Sequence, residues 1–540
     1  MPAARKNTTA RFLLYPAVAV SLNVGLAALL TNTYKCCDES AQEWLSIASS
    51  LSNLLSNASI AIVTLTFSLT VLSIQIASQT YSPRLLDDFL QDPISQFAVS
   101  VNLGAYAYSF FLQYWLFEDD NNSNNNTDGI PILAIHFLSI HMLTVLLMFV
   151  VFIHYFVNNF RLESILHRAT EASWHAAQKL EEALSNQTGL KKDDEDLPTV
   201  PTTAYKVLAD YSGYLCKYNL NAVVADATRL DLVIRYHPNI GEFVAEGSLL
   251  AYVWDANSTT TNASGDDDGE TKRRPSFKHR VLTGKSSVGS RHSLGEHASI
   301  DNHQTELAVE EKLGRIIAKG LEITTARSGE LDVLLGVQQL TDVAVRALSA
   351  AVNDPFTAVQ ALDYLSTLFG RLARLSFPIG CAKDKNGVVR CTSPRRSFAY
   401  LLSILDAIRF YGKDDLQVMY RLIRFYGDLG ATVKMVGKYQ DRISTILAQM
   451  EQCMQVCRDK YPDDNSVEKK SIQELYDYSM SLIVTSQAGR PMLQQNEAIE
   501  KDLTDLETTY VKPTSQFFDT LKDEHKVAMK SVHESSTREE

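Results

Sequence analysis

No Asp, Glu, Lys or Arg lies inside any of the four long apolar runs of this 540-residue sequence, and no comparable run follows residue 157. The runs are Phe12–Leu30, Leu54–Ala77, Phe97–Phe117 and Ile130–Val157. Because a helix needs about 20 apolar residues to cross the hydrocarbon core of a bilayer, each run is predicted to be a transmembrane helix. The missing charges argue against a carrier that relays protons between acidic side chains in the membrane.

The sequence also has none of the local motifs that identify common enzymes. It contains no Gly-rich phosphate loop, no nucleophile elbow and no His-Glu-x-x-His helix, each of which would place reactive groups at a fixed spacing. We therefore predict that the protein is not an enzyme and has no catalytic residue, no cofactor and no metal.

Positive charge is in the minority, and the net charge is -12. An acidic protein is not expected to bind nucleic acid, because phosphate contacts require a basic surface. Basic residues also favour the cytoplasmic side of a membrane. Arg5, Lys6 and Arg11 precede the first apolar run and Arg161 follows the fourth, whereas the loop Glu118–Gly129 has no Lys or Arg. The N-terminus and the C-terminal region are therefore both predicted to be cytoplasmic.

Cysteine is scarce, with 7 residues in the chain. Four of them, Cys381, Cys391, Cys453 and Cys457, would suffice for a tetrahedral zinc site, but their spacings differ from those of zinc knuckles. Free cysteines are among the most buried residues in proteins. We therefore predict buried structural cysteines rather than a metal centre.

The second apolar run carries polar residues on two opposite sides of the predicted helix. One line is Thr64, Ser68, Gln75 and Gln79, and the opposite line is Thr66, Thr70 and Ser73. Two polar lines indicate two neighbours other than lipid: a helix of the same chain, and either a second subunit or a water-filled path. Helix packing alone is the other interpretation, because Ser and Thr bond to carbonyls of their own helix.

The segment after this run is predicted to form the junction between membrane and cytoplasm. Pro83 in Ser82-Pro83-Arg84 would end the helix. Arg84 would then lie at the level of the lipid phosphates or bind a carboxylate of the C-terminal region. An interfacial anchor and a docking contact both fit this arrangement.

The fold is predicted to be mainly α, with a four-helix transmembrane region, a small β module and a cytoplasmic helical domain. Helical spacing continues from the fourth run through Arg161–Leu184, which predicts one unbroken helix that leaves the membrane. The predicted order is a transmembrane domain at 1–160, a connecting helix and linker at 161–201, the β module at 202–255, a disordered linker at 256–305, the helical domain at 306–525 and a frayed tail at 526–540.

Three blocks of sequence are distinctive: Phe67–Leu72 with Ala77–Leu86 and Phe89–Asp92, then Gly336–Ser349 with Asn353–Ala358, and Ile408–Gly412 with Arg421-Leu422. They resemble a family of predicted membrane proteins known as domain of unknown function 2254. The resemblance covers about Phe12 to Leu429 in the same order. Ala350 departs from the family, which usually has Pro there. The resemblance implies the architecture, and it carries no activity.

The second block contains a polar cluster at a predicted break between two helices. Asp354 or Asn353 can cap the following helix, and Pro355 suits its first position. Arg346 either pairs with Asp354 to brace the turn or lines a polar pocket with Asp342. The cluster is Asp342, Arg346, Asn353, Asp354, Pro355 and Thr357.

Two functions agree with these features. The first is an oligomeric channel or conduit that the cytoplasmic domain regulates, with the polar lines of the second helix along its axis. The alternative is a membrane-anchored sensor or scaffold that binds a ligand or partner through the cytoplasmic domain. The predicted partners are the lipid bilayer, further copies of the chain and an unspecified small ligand or ion.

Overall fold

A computed structural model describes residues 3–33, 41–80, 93–121, 132–159, 161–186, 197–256, 281, 302–377, 379–463 and 466–486. The chain divides between Arg168 and Ala169 into an N-terminal and a C-terminal compact unit. The predicted junction Ser82-Pro83-Arg84, nearly all of the predicted linker 256–305 and the tail 526–540 lie outside the described residues.

The N-terminal unit contains four long helices: α1 (Ala3–Thr33), α2 (Ala41–Thr80), α3 (Pro93–Asn121) and α4 (Ile132–Asn159). Helix α3 packs against the other three. Small and aliphatic side chains meet in the core, where Ala27, Leu55, Ala105 and Leu112 are buried. Alanine lets neighbouring backbones approach closely, which favours packing of helices in lipid.

Three helices, rather than the predicted four, are long and apolar enough to cross a membrane. Their apolar segments are Leu14–Thr31 in α1, Ser46–Leu72 in α2 and Leu133–Asn158 in α4. The predicted span Phe97–Phe117 folds as α3, but this helix carries buried Ser100, Asn102 and Ser109. Because its neighbours enclose these side chains, α3 does not need a fully apolar surface.

The predicted unbroken helix from the fourth run is wrong. Helix α4 ends at Asn159, Arg161 lies in a bend, and α5 begins at Leu162 and ends at Asn186. The hydroxyl of Ser164 donates to the carbonyl of Asn158 at 2.9 Å. Such a bond satisfies a carbonyl at the end of a helix, which stabilises the break.

Two small sheets lie in the C-terminal unit. Strands β1 (Tyr205–Leu208), β5 (Leu249–Asp255), β3 (Leu232–Tyr236), β8 (Val389–Thr392) and β7 (Cys381–Lys383) form one sheet in that order. Strands β4 (Phe243–Val244), β2 (Gly213–Tyr218) and β6 (Leu321–Thr324) form the other. All pairs are antiparallel except β3 with β8, where Ile234 aligns with Cys391.

The helices of this unit follow the predicted pattern in outline. They are α6 (Asn221–Leu230), α7 (Asn302–Ala318), α8 (Val333–Ala347), α9 (Pro355–Leu372), α10 (Phe398–Ser403), α11 (Asp406–Gly412), α12 (Leu416–Val436), α13 (Asp441–Lys460) and α14 (Val467–Thr485). Helix α12 packs against α9, α13 and α14, and its buried side chains include Leu422, Phe425 and Tyr426.

The region predicted to be helical from residue 306 also contains β6, β7 and β8, and the predicted β module contains α6. The strands at 381–392 complete the sheet begun at residue 205, so the sheet draws on both regions. Each of these strands has three or four residues, too few for an alternating pattern to stand out from the surrounding helices.

Candidate functional site

The first candidate site is the outward face of α2. Thr64, Ser68 and Gln75, three of the four residues in the first predicted line, are exposed. The hydroxyl of Thr64 donates to the carbonyl of Ile60 in its own helix at 2.9 Å. The side chain of the fourth residue, Gln79, lies outside the described residues.

The opposite line of α2 turns inward. Thr66 is 1% exposed, and its hydroxyl has no hydrogen-bond partner among the described residues. Thr70 is half-buried and donates to the carbonyl of Thr66 at 2.8 Å. The side chain of Ser73 is not among those described. The line with Thr66 and Thr70 therefore packs inside the N-terminal unit, whereas the line with Thr64 lies on its exposed surface.

The outward face has a regular spacing that the two predicted polar lines do not describe. Exposed residues recur along it at alternating steps of four and three: Asn57, Ala61, Thr64, Ser68, Val71 and Gln75. This is the heptad spacing of a left-handed helix pair. We call these six residues the α2 seam. Asn57 lies in the middle of the apolar segment Ser46–Leu72. Unless another helix or water contacts it, its exposed amide would face hydrocarbon, which is unfavourable.

The polar cluster of the second family block forms the turn between α8 and α9. Asp354 is the N-cap of α9, where its carboxylate accepts the backbone N–H of Thr357 at 3.2 Å and its hydroxyl at 2.7 Å. These two bonds lower the pKa of Asp354 below its ordinary value. Asn353 takes a left-handed conformation with φ 49°, and Pro355 begins the helix. Asp342 and Arg346 lie one turn apart on α8 and are half-buried.

Glycines of the family blocks mark close packing. A Cβ atom at Gly336 would lie 2.4 Å from the Cβ of Ser173 in α5 and 3.0 Å from the carbonyl oxygen of Ala169. The hydroxyl of Ser173 donates to the carbonyl of Val333 at 2.9 Å. The start of the family block therefore packs directly on α5, which accounts for a small residue at this position.

The second candidate site is a pocket in the C-terminal unit that the sequence did not reveal. The lining residues come from six segments: Leu180, Tyr218, Asn239, Ile240, Leu331, Asp332, Val333, Phe377, Ser393, Pro394 and Arg396. The lining is mostly apolar, and its polar groups converge from separate elements, as is common for ligand sites. No local motif contains them, so no signal in the sequence could have grouped them.

The buried carboxylate of this pocket is fully engaged. Asp332 is the N-cap of α8 and accepts the backbone N–H of Leu334 at 3.1 Å. Its other oxygen pairs with Nε of Arg327 at 2.5 Å. A Cβ atom at Gly241, where φ is +84°, would lie 2.1 Å from this carboxylate. Only glycine fits there, so the turn before β4 packs against Asp332.

The arginine of the pocket is only partly engaged. Nη2 of Arg396 donates to the carbonyl of Ile240 at 2.7 Å, and the guanidinium stacks on the ring of Tyr400 at 5.2 Å. Oε1 of Glu242 lies 3.7 Å from Nη2 of Arg396. The Nη1 atom of Arg396 is buried and has no hydrogen-bond partner in the described part of the chain.

Burial raises the pKa of one tyrosine in the pocket lining and of two of the predicted structural cysteines. The pKa of Tyr218 lies well above its ordinary value, chiefly because the ring is buried, with Tyr236 and Glu242 adding to the effect. Burial also raises the pKa of Cys391 to about 12 and that of Cys457 to about 11. Zinc binds thiolates, so these neutral thiols suit the predicted structural role.

The predicted cysteine pairs are buried in the C-terminal unit, as expected for structural thiols. Within the described ranges, no three His, Cys, Asp or Glu side chains group closely enough to hold a metal ion. Cys381 and Cys391 lie on β7 and β8, and Cys453 and Cys457 lie on α13.

Comparison with known proteins places the chain among uncharacterised membrane proteins. An uncharacterised protein of Mycobacterium bovis is 28% identical over 371 residues, which are 68% of this chain and 60% of the relative. An uncharacterised protein of Mycobacterium tuberculosis strain CDC 1551 is 27% identical over 368 residues, with the same two coverages. The chain thus spans 60% of the length of these curated relatives.

No solved structure matches the chain. The family model described as a predicted membrane protein, domain of unknown function 2254 (DUF2254), matches residues 9–428 and so covers more than half of the sequence. The resemblance of the three blocks is thereby confirmed, and the chain belongs to the DUF2254 family of predicted membrane proteins.

Proposed function

We propose that the protein assembles in the bilayer as a ring of copies whose α2 seams line a polar conduit along the common axis. The observation that carries this proposal is the exposure of Asn57, Thr64 and Ser68 at heptad spacing on an apolar segment. Helices with this spacing supercoil around each other with the seam inward. Polar seam residues then meet one another or water instead of lipid.

The free-energy cost of exposing a polar side chain to lipid depends on the type of side chain. The hydroxyl of Thr64 is already satisfied by the carbonyl of Ile60 and tolerates lipid. The amide of Asn57 has two N–H donors and a carbonyl, and its transfer to hydrocarbon without partners costs roughly 4–8 kcal/mol. A polar neighbour across the seam removes that cost, so Asn57 favours assembly more than the hydroxyls do.

The flanks of the seam agree with such an arrangement. Phe67 is 59% exposed and Leu72 is 49% exposed on either side of it. At about 1.5 Å per residue the 40-residue α2 is about 60 Å long, twice the hydrocarbon thickness. Gln75, beyond the apolar segment that ends at Leu72, would therefore lie at the mouth of the conduit.

The remaining parts of this proposal follow from the sequence. We place the N-terminus and the C-terminal unit on the cytoplasmic side, since basic residues flank the first and fourth apolar runs. This placement needs an even number of crossings, so it requires α3 to cross the bilayer as well, enclosed by α1, α2 and α4. The C-terminal unit would regulate the conduit. No catalytic step, cofactor or nucleic acid enters the proposal.

Ion flux through reconstituted protein tests the conduit. Full-length protein in lipid vesicles is expected to release K⁺ or Cl⁻, and Ser68→Leu is expected to abolish release because it closes the seam with an apolar side chain. Phe67→Leu, on the flank, is the matched control and should conduct like the parent. A monomer in the bilayer, or an oligomer without flux of either ion, would contradict the proposal.

A membrane-anchored ligand-binding protein is the second candidate. The pocket around Arg396 favours it, because a buried guanidinium with an unused donor is a ready partner for a ligand acceptor. Binding of a ligand there without any flux through the membrane would favour this candidate over the conduit.

A further inference from the structure

We propose that the pocket between the β strands and α8 binds a small monocarboxylate, with the carboxylate on Nη1 of Arg396. This inference deepens the ligand-binding candidate and does not depend on the conduit. It starts from one unmatched donor: Nη1 of Arg396 is buried without a partner among the described residues, and Arg396 lines the pocket.

The four charged side chains named around the pocket are two cations and two anions, and Arg396 is the cation with the looser ion pair. Arg327 and Asp332 neutralise each other through their 2.5 Å ion pair. Glu242 is 3.7 Å from Arg396, beyond hydrogen-bond distance, and its two oxygens already accept the backbone N–H and the side-chain amide of Asn239. Nη2 of Arg327 is also buried without a hydrogen-bond partner among the described residues, but Arg327 is paired with Asp332 and is not part of the lining. Nη1 of Arg396 is therefore the unmatched charged donor that belongs to the described lining.

A second donor lies in the same lining. Ser393 is 3% exposed, and its hydroxyl oxygen accepts the backbone N–H of Gly380 at 3.1 Å. Its own proton remains available, because a hydroxyl donates once and accepts twice. A carboxylate between Arg396 and Ser393 would satisfy both donors.

Size and lining select the ligand class. The cavity volume is about 40 Å³, which is room for about three waters or a ligand of a few heavy atoms. Leu180, Ile240, Leu331 and Phe377 give it apolar walls, which suit a short alkyl chain. A phosphate dianion would bring a second charge that Asp332 and Glu242 oppose.

Binding of propionate to full-length protein in detergent micelles tests the site, with isothermal titration calorimetry as the readout. Propionate is expected to bind saturably, and its uncharged isostere propionamide is expected not to bind. Arg396→Gln should weaken propionate binding about tenfold or more, because it removes a charge-assisted hydrogen bond. Arg395→Gln changes the same charge one residue away, outside the lining, and should leave the affinity unchanged.

Leu180→Phe covers the case in which Arg396→Gln does not fold, since it fills the pocket from α5 and should also prevent binding. Three results would overturn the inference: no saturable propionate binding, equal binding of propionamide, or tighter binding of phosphate. The binding measurement does not depend on ion flux. It therefore distinguishes failure of the proposed ligand site from failure of the proposed conduit.

Discussion

The two units use their polar side chains in different ways. In the N-terminal unit, hydroxyls and amides often bond to a carbonyl four residues earlier in the same helix, as Thr31, Thr64 and Asn102 do. In the C-terminal unit, arginines join segments far apart in sequence, as Arg390 does with Asp231. Many polar groups of the first unit thus bond within their own helix, whereas arginines of the second unit connect distant segments.

This difference shows where specificity lies in each unit. Among the described residues of the N-terminal unit, the hydrogen bonds that join different helices are mostly between uncharged groups: the hydroxyl of Ser52 donates to the carbonyl of Ser109 at 2.7 Å, and that of Tyr108 donates to the carbonyl of Ala134 at 2.9 Å. The helices of this unit are positioned mainly by small residues and by the spacing of polar ones. In the C-terminal unit, one charged side chain can hold several carbonyls, so a single substitution should be far more damaging there.

The largest effect is expected at Arg442, which is 3% exposed. Its guanidinium donates to the carbonyls of Ala373 at 3.0 Å and Leu375 at 2.8 Å, just after α9. Arg442→Met should lower the free energy of unfolding by about 3 kcal/mol or more, since unsatisfied buried carbonyls cost about 1–3 kcal/mol each. Urea unfolding in micelles, followed by pulse proteolysis, measures the change.

The control is Arg458→Met. Arg458 pairs with Glu451 at 2.8 Å on a more exposed surface, where an ion pair contributes about 0.2–1 kcal/mol. Burial lowers the pKa of Arg442 to about 10, so placing this charge inside the fold costs free energy, which its hydrogen bonds and its stacking on the rings of Phe398 and Tyr439 offset. An equal loss in the two variants would remove the contrast between buried and exposed arginines.

A smaller effect is expected where α8 packs on α5. Gly336→Ala should destabilise by about 1–3 kcal/mol, because the new methyl group would overlap Ser173 and the backbone of Ala169. Gly370→Ala, in α9, meets no atom within 4 Å and should stabilise by about 0.5–1 kcal/mol through helix propensity. The same unfolding assay applies. If both substitutions changed the free energy of unfolding in the same direction, close packing would not explain the glycine at position 336.

The smallest effect is expected at the cap of α9. Asp354→Ala should cost about 1 kcal/mol, the usual value of an N-cap. Hydrogen bonds from Thr357 lower the pKa of Asp354 below 3.8. The stabilisation by the ionised cap is therefore complete above pH 3.8, and it is lost as the pH falls through the pKa of Asp354 in the folded state. Unfolding measured across this range should show the variant and the parent converging in acid. A constant difference at every pH would argue against the ionised cap.

The sequence predicted the features that depend on local spacing. The cap at Asp354 and Pro355 is confirmed, because a cap and its helix are neighbours in the chain. The two polar lines of α2 separate into an inward and an outward one, as a helical period requires. Strand β8 was missed, since its parallel partner β3 is more than 150 residues away.

The sequence missed features that depend on distant segments. Tyr218, Asp332 and Arg396 meet in the pocket from three separate regions, and no spacing rule groups them. Three helices, and not the predicted four, are apolar enough by composition to cross a membrane, because α3 carries polar side chains that its neighbours bury. Asn57 lay within the second run, and its importance emerged only when the exposed face of α2 was known.

The most direct test of the α2 seam is disulfide cross-linking in native-like bilayers. Ser68→Cys, in a background with Cys36→Ser and Cys37→Ser, is expected to form a covalent dimer on mild oxidation, because seam positions of neighbouring copies lie within reach of each other. Phe67→Cys, one residue away on the flank, should remain monomeric. Equal cross-linking at the two positions, or none at Ser68→Cys, would contradict assembly through the seam.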